Sequence, residues 1–356
     1  MGWPYRSFVR PVQRLQSSEG AHGRALRMLR LASSTKPGRG ILRRLYRPKK
    51  AKVVNVWGLS FPNRFGLAAG MDKKAEAIRG WESIGFGFVE VGGVTMHAQQ
   101  GNPKPRMFRD DRSRSLINRM GFNNDGSEAV ANRIRSDLQR RGPLSCPLFV
   151  NLGKSKITPN EEALTDYTTS MERLHDVVDG FVVNVSSPNT PNLRDLQHES
   201  ALGDLLSGLS KRLQELNNGV DLARPMLVKF APDLDVDTLL GMVDVARESG
   251  ADGVVLTNTT VRRGEPEHPS HGRFLSEKGG LSGAPLKSRS TALIRAVHEH
   301  TGGDWPIVGV GGISTAADAQ EKLDAGATLL QAYSAFVFEG PSLVRNVVDG
   351  LDETSP

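Results

Sequence analysis

Cysteine is nearly missing: Cys146 stands alone in 356 residues, so no disulfide can form within the chain and no thiolate cluster can hold zinc or an iron–sulfur centre. A reducing compartment is the natural setting. No stretch of about 18 apolar residues occurs, so nothing reads as a membrane-spanning helix. Acid is scarce at one end: residues 1–50 carry 13 Lys and Arg against a single acid, Glu19, a charge of +12. The remainder holds 33 basic and 38 acidic side chains, so the net +7 belongs to the N-terminal segment. Also missing are a P-loop, a His/Cys set at metal-ligand spacing and a carboxylate pair at strand ends. Their absence argues against nucleotide triphosphate chemistry, metal catalysis and hydrolysis.

The basic segment carries two short helical patterns broken near Ser17 to Gly20. Phe8, Val12 and Leu15 share one face; Leu26, Met28 and Leu29 share another, with Arg6, Arg10, Arg14, Arg24, Arg27 and Arg30 interspersed. Ser18 is the expected cap of the second helix, with Ala21 and His22 in its first turn. Three readings fit: an amphipathic hairpin lying on an anionic membrane, an Arg-rich transit peptide, or a nucleic-acid arm. No interleaved aromatic reader accompanies the charge, so nucleic acid is not an expected partner. The Pro, Gly and charge content of TKPGRG and RPKK marks a linker, dividing the chain into residues 1–45 and 46–356.

From Val53 onward short apolar runs alternate with amphipathic helical patterns. The runs lie at 64–70, 86–95, 148–153, 180–186, 225–230, 253–259, 306–311 and 329–334. Eight is the number a closed parallel barrel requires, and polar residues gather where each run ends. The spacing therefore predicts a (β/α)8 TIM barrel, preceded by a small hairpin around NVWGLSFPN and by the N-terminal helical hairpin. A doubly wound open sheet is the alternative.

The stretch NVSSPNTPNLR closes the fourth run, and a buried strand that suddenly offers amides and hydroxyls is building a site. Other run ends add Lys73, Asn151, Lys229, Thr257, Asn258 and Thr259. Gly311, Gly312, Tyr333 and Ser334 close the seventh and eighth, where this fold places a phosphate against backbone N–H groups. Gly279, Gly280 and Gly283 in KGGLSG suggest a flexible loop over that phosphate. Lys73 and Lys229, ending apolar runs, must snorkel outward or meet an anion. Asn118, in LINRMGFNND, adds an amide on a Gly-containing loop. The set fits a flat, amide-containing anion lying on a cofactor ring.

The stretches GLAAGMDK, GNPKPRMFR, INRMGFNN, VNLGKSK, NVSSPNTPNLR, VKFAPD, TNTT, GGLSG, VGVGGI and QAYSAF run in order through essentially the whole chain. On them the sequence resembles the membrane-associated, quinone-dependent class of dihydroorotate dehydrogenases. The resemblance implies an FMN across the barrel mouth with dihydroorotate stacked on its ring, oxidised to orotate in pyrimidine synthesis. It implies substrate contacts at Lys73, Asn118, Arg119, Met120, Gly121, Phe122, Asn184, Asn189, Asn258 and Thr259. Flavin contacts are implied at Ala69, Gly70, Gly93, Asn151, Asn184, Lys229, Thr257, Gly283, Gly312, Tyr333 and Ser334. Ser187 matches the general base, with Thr190 and a water near Phe122 as relay candidates. Soluble relatives carry cysteine there, so Ser187 favours the quinone class over one using fumarate or NAD. A catalytically idle flavoprotein would have lost Ser187, Lys73 or the asparagines.

The same resemblance identifies residues 7–33 as a hairpin forming a quinone tunnel. Gln13 and His22 border the quinone there, with Arg109 and Tyr333 on the barrel side. Its arginines would hold anionic lipid, as expected of a peripheral protein on the cytoplasmic face of a bacterial cell membrane whose chain starts directly at the hairpin. Cys146 reads as a core residue. Two departures stand out. Gly93 replaces the family's usual Thr, leaving only backbone contact to the flavin, and Gln16, Ser17 and Ser18 replace acidic and proline residues at the hairpin's turn.

Overall fold

The computed structural model describes residues 5, 7, 10, 16–265 and 269–351. Phe8, Val12, Gln13 and Leu15 lie outside them. The predicted barrel forms. β3 (Phe65–Leu67), β4 (Val89–Val94), β7 (Leu148–Leu152), β8 (Gly180–Asn184), β9 (Met226–Phe230), β10 (Gly253–Leu256), β12 (Ile307–Val310) and β13 (Leu329–Ala332) close into a parallel cylinder. The circuit closes where β10 pairs with β9 on one side and with β12 on the other. All eight strands are buried throughout, because helices cover their outer faces and side chains fill the inside.

The covering helices follow from apolar spacing. In the helix Glu199–Asn217, Leu202, Leu206, Leu209 and Leu213 recur every three or four residues and are buried. Truncating one, Leu206→Ala, should cost about 2–5 kcal/mol through lost contacts and the cavity left behind. At the opposite pole, β1 (Val54–Val56) and β2 (Leu59–Phe61) form the expected hairpin. Phe61 packs edge-on against Phe88 at 5.5 Å and against Phe149 at 6.2 Å, plugging the barrel's N-terminal end. Of the barrel's two ends as the described residues form them, the C-terminal mouth is the open one.

The N-terminal segment departs from expectation in three ways. Ser17, not Ser18, caps the helix Ser18–Ala32, accepting from the Gly20 amide at 3.3 Å. Met28 does not share the face of Leu26 and Leu29: those two pack on the barrel, Leu29 over Gly80, while Met28 and Leu31 stand 70% and 67% exposed. The presumed linker is itself a helix, Lys36–Tyr46, because Thr35 caps it and Pro37 sits in the first turn, where proline loses no hydrogen bond. Arg345 holds the far end of that helix by donating to the carbonyls of Arg44 and Arg47.

The lone acid of the segment fastens the first of these helices. Glu19 accepts from Arg106 Nη2 at 2.7 Å and from its Nε at 3.2 Å, while Arg106 also donates to the carbonyls of Gln100 and Asn102. A helix otherwise rich in arginine is thereby held against the loop ahead of β5 (Met107–Asp110).

Candidate functional site

Three strands that apolar periodicity did not reveal roof the barrel mouth: β5, β6 (Ser115–Asn118) and β11 (Gly280–Gly283), antiparallel in the order β11-β6-β5. KGGLSG is therefore not a flexible loop. Gly280 pairs with Asn118 and Gly283 with Ser115, and glycine is required because a β-carbon at Gly280 would stand 1.8 Å from Thr259 Oγ1. Asn118 is fixed at a strand end rather than on a loop.

Between this roof and the strand ends lies a cleft with about 1120 Å³ of empty space, counting its open mouth. It gathers nearly all the expected residues. Ala69, Gly70 and Lys73 come from the β3 end, Gly93 from β4, Asn151 from β7, Asn184, Ser187 and Asn189 from β8, and Lys229 from β9. Thr257, Asn258 and Thr259 follow β10, while Gly283, Gly312, Tyr333 and Ser334 line the far end. Asn118, Met120, Gly121 and Phe122 hang from the roof. Arg119 does not line the cleft: its guanidinium pairs with Glu277 at 2.7 Å and lies over Phe108. Arg109 is also outside it, 3.8 Å from Asp111, and Gln13 lies outside the described residues.

The amides are wired together. Asn151 Nδ2 donates to Glu90 Oε1 at 2.7 Å, Asn184 Nδ2 donates to Asn151 Oδ1 at 2.9 Å, and Asn258 Nδ2 donates to Asn184 Oδ1 at 3.2 Å. The Thr259 amide donates in turn to Asn258 Oδ1 at 2.8 Å, and Asn189 Nδ2 reaches Asn118 Oδ1 at 3.4 Å. Each of these bonds fixes which end of its amide presents N–H and which presents oxygen, so the array is preorganised. Ser187 is buried, and its Oγ accepts from the Asn189 amide at 3.3 Å. Nearby, Thr190 Oγ1 is buried with no partner among the described residues.

Phe122 occupies the space over Gly93. A β-carbon on Gly93 would stand 2.5 Å from its ring, and one on Gly153 2.7 Å, so both glycines make room for the aromatic side chain. The departure at Gly93 thus has a partner in the roof.

Charge is arranged asymmetrically. Lys229, 6% exposed, makes no hydrogen bond or ion pair with the described residues. Lys73 donates to the Gly70 carbonyl at 2.6 Å; burial pushes its ammonium down to about 8, with Glu19 pulling upward against it and Arg106 adding to the fall. His22, on the helix Ser18–Ala32, lies near the Met71 backbone, and burial followed by the Lys73 charge pushes it down to about 3, so its imidazole stays neutral. Burial raises the Tyr333 phenol well above its ordinary value. Cys146 is a buried core thiol, raised by burial and by the Glu82 and Asp179 charges. Among the described residues no cluster of His, Cys, Asp and Glu could hold a metal.

Two members of the site escaped the sequence reading: Glu90 in FVEVGG and Gln331 in LLQA, both fully buried inside barrel strands. Their signal was available, since a polar residue within an apolar strand is as telling as the lysine of VKF.

Comparison with known proteins gives concordant results. A family model described as "Dihydroorotate dehydrogenase" matches residues 52–354. The dihydroorotate dehydrogenase (quinone) of Gloeobacter violaceus is 48% identical over 343 residues, covering 96% of this chain and 92% of that protein. That of a Synechococcus strain is 50% identical over 316 residues, covering 85% and 80%. Among solved structures, DHODH from Eimeria tenella in complex with ferulenol superposes with a TM-score of 0.79 at 35% identity, covering 89% of this chain and 90% of that one.

Proposed function

The chain belongs to the dihydroorotate dehydrogenase family, in its quinone-dependent branch, and from that premise we propose that it oxidises (S)-dihydroorotate to orotate for pyrimidine synthesis. In this reading the flavin is FMN and the electron acceptor is a membrane quinone. The observation that carries it is the cleft itself: five asparagines, two lysines and the buried Ser187 converge there, with no metal-ligand cluster among the described residues.

The residues fit a flavin mononucleotide. Lys229 is a buried lysine with no ion-pair partner among the described residues, and Gln331 Oε1 is a buried acceptor with no donor among them. At the far end Gly311 and Gly312 hold positive φ angles of 130° and 73°, conformations that let successive backbone N–H groups turn toward a phosphate beside Ser334. Ala69, Gly70, Gly93, Asn151, Asn184, Thr257, Gly283, Gly312 and Tyr333 would complete the contacts. Bound there, FMN supplies the two-electron acceptor that a hydride leaving substrate C6 requires.

The chain's own groups do the rest. Lys73 meets the substrate carboxylate, and Asn118, Asn184, Asn189, Asn258 and Thr259 pair with the ring's amide and imide edges, with Met120, Gly121, Phe122 and the Arg119 backbone closing above. Ser187 takes the C5 proton. Its hydroxyl is a weak base in water, so it depends on the dry cleft and on onward transfer through Thr190, whose hydroxyl has no partner among the described residues and suits a relay. Lys229 stabilises negative charge that develops beside it.

The quinone would enter beneath the helix Ser18–Ala32, where His22 lies next to Met71 and Lys73, and pass Tyr333; Gln13 and Arg109 belong to this reading as well. Met28, Leu31, Ile41 and Leu45 are exposed on the two N-terminal helices among Arg24, Arg27, Arg43 and Arg44. That surface suits peripheral attachment to anionic lipid on the cytoplasmic face, at about 1 kcal/mol per near-surface charge, with residues 1–45 as the attachment unit and 46–356 as the barrel. No helix among the described residues could cross a membrane. Steady-state turnover tests the reading: orotate should form with a soluble quinone as acceptor, and turnover with fumarate or NAD instead would refute the assignment.

A further inference from the structure

Glu90 is a fully buried carboxylate on β4, and the two groups that donate to it among the described residues are both amides: Asn151 Nδ2 and Gln331 Nε2. A carboxylate only accepts, so it turns the N–H face of each neighbour toward itself and the oxygen face away. For Asn151 the oxygen faces Asn184, which donates to it. Gln331 is different: its Oε1 is buried, has no partner among the described residues, and the side chain lines the cleft. An unpaired buried acceptor costs enough that it calls for a donor on the ligand side.

Resting on the FMN reading above, we propose that Gln331 Oε1 accepts a hydrogen bond from the flavin's imide N–H, the one ring N–H of an oxidised flavin, and that Glu90 is the positioning residue that keeps this acceptor facing the cleft. Were residue 90 an amide, its own NH2 would oppose that of Gln331. The Gln331 side chain would then flip and offer N–H to N–H. The device selects a cofactor ring by the polarity of one edge, at a site separate from both the phosphate end and the substrate amides.

The test is titration of flavin-stripped protein with FMN, riboflavin and N3-methyl-FMN, read by quenching of flavin fluorescence. Wild type should favour FMN over the N3-methyl form. Glu90→Gln should weaken FMN and riboflavin alike by roughly tenfold or more, leaving their ratio unchanged, and should lose much of the discrimination against the methyl form. Glu90→Gln combined with Gln331→Glu restores an acceptor to the cleft and a donor–acceptor pair beneath it, so affinity should return to near wild type. Gln331→Met, which keeps Glu90, should reproduce the loss and provides the test if Glu90→Gln does not fold. Unchanged FMN affinity in Glu90→Gln or Gln331→Met, a double variant no tighter than the single one, or undiminished discrimination in Glu90→Gln would overturn the inference. Failure of the wild type to take up FMN would overturn the flavin reading and this inference with it.

Discussion

Replacing Glu19 by Gln removes the only acidic side chain within the helix Ser18–Ala32, and two separate consequences can be worked from the structure. The carboxylate faces a guanidinium whose side chain is 8% exposed, while its own is 24% exposed. Opposite unit charges about 4 Å apart are worth about 4 kcal/mol at an effective dielectric near 20. Partial exposure and the retained amide hydrogen bond reduce this to roughly 1–3 kcal/mol. Local opening of the helix should therefore become roughly 5- to 150-fold more frequent. Hydrogen exchange of the amides around Leu26 and Leu29 reads it directly.

The second consequence concerns pH. Burial raises the Glu19 carboxyl, but the hydrogen bond and charge of Arg106 outweigh it, leaving Glu19 below its ordinary range. Its contribution to docking is thus complete above the unfolded carboxylate pKa and is lost as pH falls through the lowered folded value. Glu19 also supports the Lys73 ammonium, which titrates at about 8. Without it Lys73 loses its proton at lower pH, so the weakening of orotate binding that accompanies rising pH should begin earlier in Glu19→Gln. Unchanged exchange in the helix together with an unmoved pH midpoint for orotate would refute the reasoning.

Other outcomes are equally specific. Gly93→Ala puts a β-carbon 2.5 Å from the Phe122 ring; displacing it should cost about 1–3 kcal/mol of stability by thermal denaturation and weaken orotate binding. Lys322 is buried against the Lys287 carbonyl and the Ser290 and Thr291 hydroxyls, and burial lowers it from 10.5 to about 8. The unfolded chain therefore holds more protons between those values, so stability should rise with pH across that window, and Lys322→Met should flatten the rise in urea titrations. Charging the exposed apolar pair, Met28→Asp with Leu31→Asp, should abolish co-sedimentation with anionic vesicles while leaving turnover with a soluble quinone intact; retained binding would place the lipid contact elsewhere.

The barrel was legible because each of its strands is an apolar run ending in Asn, Lys, Thr, Gly or Ser, a pattern that needs no knowledge of partners. The roof was not. Met107–Asp110 and Ser115–Asn118 are short and mixed in polarity, and Gly280–Gly283 becomes a strand only by pairing with residues more than 160 positions earlier. Arg119 looked like a ligand because it sits among ligands, yet Glu277, distant in sequence, turns it aside. The helix Lys36–Tyr46 was hidden by its own Pro and Gly, which also serve as first-turn residues once Thr35 caps them. Glu90 and Gln331 were visible as polar residues in apolar strands, but their meaning lies in facing each other across β3, which only the closed barrel reveals.

The most direct test of the central claim is an anaerobic stopped-flow experiment on flavin-loaded protein, with and without Ser187→Ala. Dihydroorotate should bleach the flavin of the wild type rapidly, and a soluble quinone but not fumarate should restore it. Ser187→Ala should bleach about 10²–10⁴-fold more slowly while binding orotate nearly as well, because only proton abstraction is lost. Bleaching as fast in Ser187→Ala as in wild type, or no bleaching by dihydroorotate at all, would contradict the account.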